Sequence, residues 1–323
     1  MEKKKILIAA GGTGGHLLPA QQLAELIGDR ADVLFAGHKL EETPYFQRDR
    51  FRFIDVVSAP IQKRFAFCCA LVFGFFKSVW LILKERPDVV VGFGSYHTVP
   101  ILLASVVLGK KIVLYEANRK MGKVTRLFAP FSKHLAAQFP LVDRKTFTLV
   151  PLFPWISKPS LSKQEAREAY GLDANRFTIL VFGGSQGAAF LNEMVPKAIA
   201  LLGDVQVIHF GMEENPYSVK SVVKLFESDM AKAYAAADFV IGRSGAGTVS
   251  ELIRYGIPSL LIPYPFAYGH QQDNAEYLVQ RGRAFMLLQK EATPEKIADC
   301  VKRDLPMNRI DSETRIAFED LIL

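Results

Sequence analysis

Short apolar runs that stop at glycine, each followed by helical periodicity, recur along the chain. Residues 6–10 are continuously apolar and end in Gly-Gly-Thr-Gly-Gly, as a buried parallel strand feeding a tight turn does. Residues 17–27 then carry helical spacing. Strands are expected at 33–36, 88–92 and 111–115, with helices over about 70–86 and 98–108 between them. The pattern breaks near Pro151, Pro154 and Pro159, and a polar stretch leads to a helix at 163–170; an interdomain linker is placed there. The second half repeats the grammar, with a strand at 177–182, the turn Gly-Gly-Ser-Gln-Gly-Ala at 183–188 and a helix at 190–201. Later strands are expected at 205–210, 239–241, 259–263 and 284–287, with helices from about 247, 271 and 294. This reading is α/β: two Rossmann-like domains, 1–155 and 156–323, facing across a cleft, with ligands at the carboxyl ends of the strands.

One stretch departs from the grammar. Residues 65–83, FAFCCALVFGFFKSVWLIL, carry a single charge at Lys77 and approach the length of a membrane span. Gly74 and Lys77 interrupt it, Lys63 and Arg64 precede it, and Lys84, Glu85 and Arg86 close it. Three readings stand: a span, an ordinary buried helix, and an exposed aromatic patch with a basic rim resting on a bilayer surface. The third is favoured.

Composition narrows the class. At 323 residues the chain exceeds one usual domain. Apolar residues at 50% and charged residues at 23% exclude a disordered or collagen-like chain. Net charge is +7, unevenly spread: residues 1–150 hold 22 Lys plus Arg against 12 Asp plus Glu, and the remainder 18 against 21. A basic first half points to an anionic partner such as a phospholipid surface, a phosphorylated ligand or nucleic acid. Nucleic acid is disfavoured, since the glycine turns have no role in it and no repeated aromatic and basic stacking platform occurs. Cys68 and Cys69 are sequence neighbours that cannot reach ordinary disulfide geometry with each other, and Cys300 is remote; a reducing, cytoplasmic setting fits. The apolar run after the N-terminal lysines is five residues, too short for a signal-peptide core.

The glycine turns carry the candidate chemistry. Residues 11–16, GGTGGH, follow a strand and open a helix, so backbone approach is close and helix-start amides favour an anion or an oxygen-rich ligand. A dinucleotide fingerprint needs a third glycine where Leu17 stands and an acidic end to the second strand, which reads Ala36, Gly37, His38. Neither glycine turn supplies the Gly-Lys-Ser/Thr of a Walker loop. A third turn, SGAGTVSE at 244–251, sets Glu251 about one turn into a helix, where a carboxylate accepts hydrogen bonds from a ribose diol while helix amides face a diphosphate. Downstream, HQQDNA at 270–275 places Gln271 and Asn274 one turn apart, suited to sugar hydroxyls. No Asp-x-Asp occurs and His and carboxylates do not cluster at metal-ligand spacing; no metal and no cofactor is expected, helix amides taking the charge of a departing diphosphate.

Taken jointly and in order, GGTGGH with LLPA after it, DVVVGFGSY at 88–96, YEAN at 115–118, GGSQGA, RSGAGTVSE and HQQDNA resemble the GT-B glycosyltransferases over nearly the whole chain. Within them they are most similar to the N-acetylglucosaminyltransferases of peptidoglycan synthesis. The resemblance implies inverting transfer of N-acetylglucosamine from UDP-GlcNAc to the muramoyl hydroxyl of lipid I, giving lipid II, by an enzyme peripheral to the cytoplasmic face of the inner membrane. It implies a first domain for acceptor and anionic membrane, a second for donor, and contact with other cell-wall synthesis proteins. His16 and Asn118 are the implied catalytic residues, and Gly12, Thr13, Gly14, Gly15 and Tyr96 the acceptor side. Ser185, Gln186, Gly187, Ser244, Gly245, Glu251, Gln271 and Asn274 are the implied donor side, with residues 226–230 on the uracil. As base His16 titrates near neutrality; as binder it meets the acceptor diphosphate. The sequence departs from the family where Tyr115 stands for His, Ala117 for Gln and Ser95 for Gly, where LVPLFPWISK lacks a linker arginine, and where the region after Phe210 is short. Competing readings are another sugar-nucleotide enzyme of this architecture, such as a diacylglycerol glycosyltransferase or UDP-GlcNAc epimerase, and a non-catalytic nucleotide-sugar binding module.

Overall fold

A computed structural model of the protein describes residues 3–59, 64–153, 161–184, 189–266, 269–308 and 315–323, the side chains of 64–67 excepted. The chain divides into two compact units, Met1–Trp155 with Glu313–Leu323, and Ile156–Ser312.

The first unit runs β1 (Lys4–Ala9), α1 (Gly14–Ile27), β2 (Ala31–Gly37), β3 (Phe53–Asp55), α2 (Arg64–Glu85), β4 (Val89–Gly92), α3 (Val99–Val107), β5 (Lys111–Glu116), α4 (Lys123–Phe128), β6 (His134–Ala137) and β7 (Thr148–Leu149). Its described strands form one parallel sheet in the order β3-β2-β1-β4-β5-β6-β7. Alternation explains why these strands read as unbroken apolar runs. Ile6 and Ile8 point into a core with Leu17, Leu23 and Ile27 of α1, while Leu7 and Ala9 point into a second core with Leu81 and Ile82 of α2 and Leu102 of α3. Sheet order reverses between β1 and β4, and that switch point is where a doubly wound sheet leaves a crevice at its strand carboxyl ends.

The second unit runs α5 (Lys163–Ala169), β8 (Phe177–Phe182), α6 (Ala189–Ile199), β9 (Val205–Phe210), β10 (Ser221–Lys224), α7 (Met230–Ala236), β11 (Phe239–Gly242), α8 (Ala246–Tyr255), β12 (Ser259–Leu261), α9 (His270–Val279), β13 (Ala284–Met286) and α10 (Pro294–Lys302). Its sheet is parallel, ordered β10-β9-β8-β11-β12-β13. Here the switch point lies between β8 and β11. Local chemistry sets the helix ends: Ser162 and Glu165 close a capping box on α5, Thr293 caps α10 ahead of Pro294, and Gly256 ends α8 at φ 67°.

Two features differ from the sequence expectation. Residues 315–323, expected in the second domain, pack on the first unit: Phe318, Leu321 and Ile322 join the core beside α1, and Arg315 donates to the carbonyls of Gln138 at 2.8 Å and Val150 at 2.6 Å. The helix α2 is neither buried nor a span. Among the described residues no helix is long and apolar enough to cross a membrane. Ala70, Gly74, Ser78, Leu81 and Ile82 face the protein, and a Cβ on Gly74 would stand 2.3 Å from the Val57 carbonyl oxygen, so glycine there permits close packing. The other face presents Val72, Phe73, Phe76, Trp80 and Leu83 to solvent, with Phe73 72% and Phe76 65% exposed.

Candidate active site

In the first unit the switch point is lined from β1, β4 and β5. After β1 the chain turns through Gly12 at φ 88°, and Thr13 starts α1 without a side-chain cap bond. The His16 N bonds the Thr13 carbonyl at 3.1 Å, which leaves the Gly14 and Gly15 amides to face whatever lies ahead of the helix. His16, part-buried on that turn, places Nδ1 2.7 Å from the carbonyl oxygen of Phe93, the residue after β4. A carbonyl only accepts, so Nδ1 carries the proton and Nε2 keeps its lone pair outward as a base or acceptor. Gly94 beside the ring sits at φ 76°, a left-handed backbone that favours glycine, while a Cβ there would meet the His16 ring at an ordinary 3.4 Å. Burial lowers the His16 pKa below 6.5, against opposing contributions from the Phe93 bond and the Glu116 charge. The ring is therefore neutral at pH 7.

Asn118 reaches the site through a residue the sequence reading passed over. Glu116, at the end of β5, is buried; its Oε1 accepts from the Asn118 backbone N at 3.1 Å and Nδ2 at 3.0 Å, and its Oε2 from the Gly122 N at 2.9 Å. This carboxylate fixes the loop after β5. A buried charge at a strand end is the signal that would have found it. Tyr115, by contrast, faces the other side of the sheet. Its hydroxyl donates to Gln138 Oε1 at 2.7 Å and its ring packs among Phe93, Phe153 and Phe318. The departure from His at that position lies in the core rather than at the turn. Gly12, Thr13, Gly14, Gly15, His16 and Tyr96 are thus gathered at the β1 and β4 ends, with Asn118 held at β5.

In the second unit, Gly183 and Gly184 (φ 84°) follow β8; Ser185, Gln186 and Gly187 lie outside the described residues. After β11, Ser244 and Gly245 open α8. Ser244 is buried; its Oγ donates to the Gln271 carbonyl at 2.7 Å, and its own carbonyl accepts from Asn274 Nδ2 at 3.2 Å. Gln271 Oε1 accepts from the Tyr264 N at 2.9 Å. The Ser244 and Asn274 side chains knit the α8 start to the α9 start, the Gln271 side chain ties α9 to the loop after β12, and Arg243 holds that loop through the Ile262 and Pro263 carbonyls. Glu251 sits within α8, where Oε2 accepts from the Tyr234 hydroxyl at 2.6 Å. Burial pushes its pKa up to about 7, the Tyr234 bond opposing that rise. Tyr234, itself buried and stacked on Tyr255, was not anticipated. Leu225 and Phe226 stand exposed ahead of α7.

Two parallel α/β units, each with glycine turns at its switch point and one with a carboxylate, Glu251, on the following helix, define a GT-B glycosyltransferase fold. The glycosyltransferase family 28 N-terminal domain matches residues 6–137 and the family's C-terminal domain residues 178–318. A Protochlamydia amoebophila protein named UDP-N-acetylglucosamine--N-acetylmuramyl-(pentapeptide) pyrophosphoryl-undecaprenol N-acetylglucosamine transferase is 37% identical over 93% of this chain and 87% of its own. A Francisella tularensis protein of that name is 32% identical over 100% and 95%. The crystal structure of Acinetobacter baumannii MurG superposes with TM-score 0.75 at 26% identity, covering 93% of this chain and 90% of that one. A kitacinnamycin glycosyltransferase, at 17% identity, covers 94% of this chain and 90% of its own with TM-score 0.72 and shares the fold. The chain belongs to glycosyltransferase family 28.

Proposed function

We propose that the protein transfers N-acetylglucosamine from UDP-GlcNAc to the muramoyl hydroxyl of an undecaprenyl-diphospho-muramoyl-pentapeptide, with inversion, while resting on an anionic membrane. The names of the relatives support donor and acceptor. The observation that carries the chemistry is the fixed tautomer of His16, whose protonated Nδ1 is held by Phe93 so that Nε2 is presented as a base.

The acceptor hydroxyl attacks the anomeric carbon as the bond to the UDP oxygen breaks, and its proton passes to His16 Nε2. Developing diphosphate charge is met by backbone amides and the positive end of α8. Glu251 accepts the ribose hydroxyls, the exposed Phe226 stacks on the base, and Gln271 meets the sugar, while Asn274, expected there too, is fully buried against the Ser244 carbonyl and acts by holding the α8 start. Gly12, Thr13, Gly14, Gly15 and Tyr96 surround the acceptor diphosphate. Radiolabelled UDP-GlcNAc with a lipid I analogue is expected to give a disaccharide lipid, and none without acceptor. Hydrolysis alone, or a glycolipid lacking muramic acid, refutes the assignment.

The solvent face of α2 is the membrane contact in this reading. Its aromatic residues are rimmed by exposed Lys77, Lys84 and Arg86, with Lys84 Nζ 4.7 Å from the Trp80 ring centre. Each basic residue near anionic headgroups contributes roughly 1 kcal/mol, and each buried aromatic about 1.5–3 kcal/mol. Sedimentation with anionic vesicles is expected to fall at high salt, and to fall at least about tenfold in a Phe73→Ser, Phe76→Ser double variant. Binding indifferent to salt, lipid charge and both substitutions sinks the membrane assignment.

A further inference from the structure

His97 lies beside the first glycine turn and has no part in the reaction as drawn. It belongs to the 3-10 turn Tyr96–Thr98 after β4. The turn at residues 11–12 is glycine partly because this ring occupies the space. A Cβ on Gly11 would stand 3.0 Å from His97 Cβ, and one on Gly12 would stand 3.2 Å from His97 Cδ2 and 3.6 Å from Nε2. Ser95 supports the arrangement from a left-handed backbone, φ 68°, its Oγ accepting from the His97 N at 3.4 Å. A non-glycine residue in that region is strained, and such strain gathers at functional sites.

The protonation of the ring follows from its partners. His97 is 8% exposed and Ser58 5%, with 2.6 Å between His97 Nδ1 and Ser58 Oγ. The Ser58 hydroxyl has no other partner among the described residues, so its hydrogen is satisfied by donating to Nδ1. Burial above all, with His38 and His16 nearby, takes the His97 pKa to about 4, which keeps the ring neutral at ordinary pH. A neutral ring that accepts at Nδ1 carries its one proton on Nε2. That N–H, on the ring edge beside Gly12, has no protein partner among the described residues. The residue is buried but this atom is open to solvent, so a donor free of protein partners faces the space beside a turn built for an anion, placed to exchange water for a ligand oxygen.

We infer that His97 binds substrate directly, its Nε2–H donating to a phosphoryl oxygen of the acceptor diphosphate seated on the turn at Gly12. This rests on the reading of the first unit as the acceptor side. Two replacements separate the ring's edges. Asparagine keeps an amide near the Nδ1 position against Ser58 and loses the outer donor; glutamine places an amide nitrogen near Nε2. Against a lipid I analogue, His97→Asn is expected to raise the acceptor KM about tenfold, the worth of one hydrogen bond to a charged group. His97→Gln stays within about twofold, and the UDP-GlcNAc KM is unchanged in both. Ser58→Ala, which keeps the ring and frees its tautomer, raises the same acceptor KM by a smaller factor and serves if His97→Asn fails to fold. A normal acceptor KM in His97→Asn overturns the inference, as does equal damage from Gln and Asn, or an undiminished penalty with an acceptor analogue lacking the diphosphate. If the wild-type protein transfers nothing to lipid I analogues, the proposed function fails instead.

Discussion

His16→Asn lowers kcat by about two to four orders of magnitude, the range of a lost general base, while the melting temperature and UDP affinity stay near those of the wild-type protein. Asparagine retains a donor for the Phe93 carbonyl, so the turn between β1 and α1 keeps its shape; only the Nε2 lone pair is lost. His16→Ala gives the same loss of turnover with an added stability cost of about 1 kcal/mol for the unpartnered carbonyl. Near-normal turnover in both variants removes His16 from the base role and from the acceptor diphosphate. The pH profile supplies an independent check. Because burial depresses its pKa, the ring stays deprotonated below pH 6.5, so the acid limb of kcat belonging to His16 falls on the acid side of that value. A base with a raised pKa would lose activity at neutrality instead.

Glu251→Gln produces two opposite effects. Donor kcat/KM falls about 10- to 100-fold, because charged hydrogen bonds to the ribose diol are replaced by weaker neutral ones, each worth about 1.5–3 kcal/mol when charged. The unliganded protein becomes more stable at pH 8. The sign follows from the raised pKa. The ordinary value of 4.5 applies unfolded and about 7 applies folded; ionisation therefore costs nothing below pH 4.5, costs progressively more up to about 7, and is fully felt above it, by at most about 3 kcal/mol. Glutamine never ionises and escapes that cost. Binding of UDP to the wild-type protein strengthens from pH 6 to pH 8 as the carboxylate forms, and this slope disappears in Glu251→Gln. Calorimetric titration at the two pH values, with thermal melts at pH 8, checks both halves. A variant that binds UDP normally, or a slope that survives it, removes Glu251 from the ribose.

Both residues sit where the sequence pattern pointed. Strand, glycine turn and helix follow one another in the chain, so the turns after β1 and β11 are legible from neighbours alone, and the switch points fall beside them. Short edge elements were not legible: β3, β7 and β10 are two to four residues long and part-buried, too brief to show a period. Partners far apart in the chain were equally hidden. Nothing near Glu251 announces Tyr234, nothing near His97 announces Ser58, and Tyr115 reads as a site departure until the sheet turns it into the core. The donor turn at 185–187, read from the sequence alone, stands as a proposal.

The hydrogen bond from Ile316 N to the Leu149 oxygen, 2.9 Å, sets the point where the chain leaves the first unit beside the point where it comes back. In connectivity the intervening residues are a guest spliced into one loop of a host, sealed by the host's own terminal segment. Recombination at two neighbouring joints can therefore exchange the whole second unit while the host's hydrophobic interior is inherited intact.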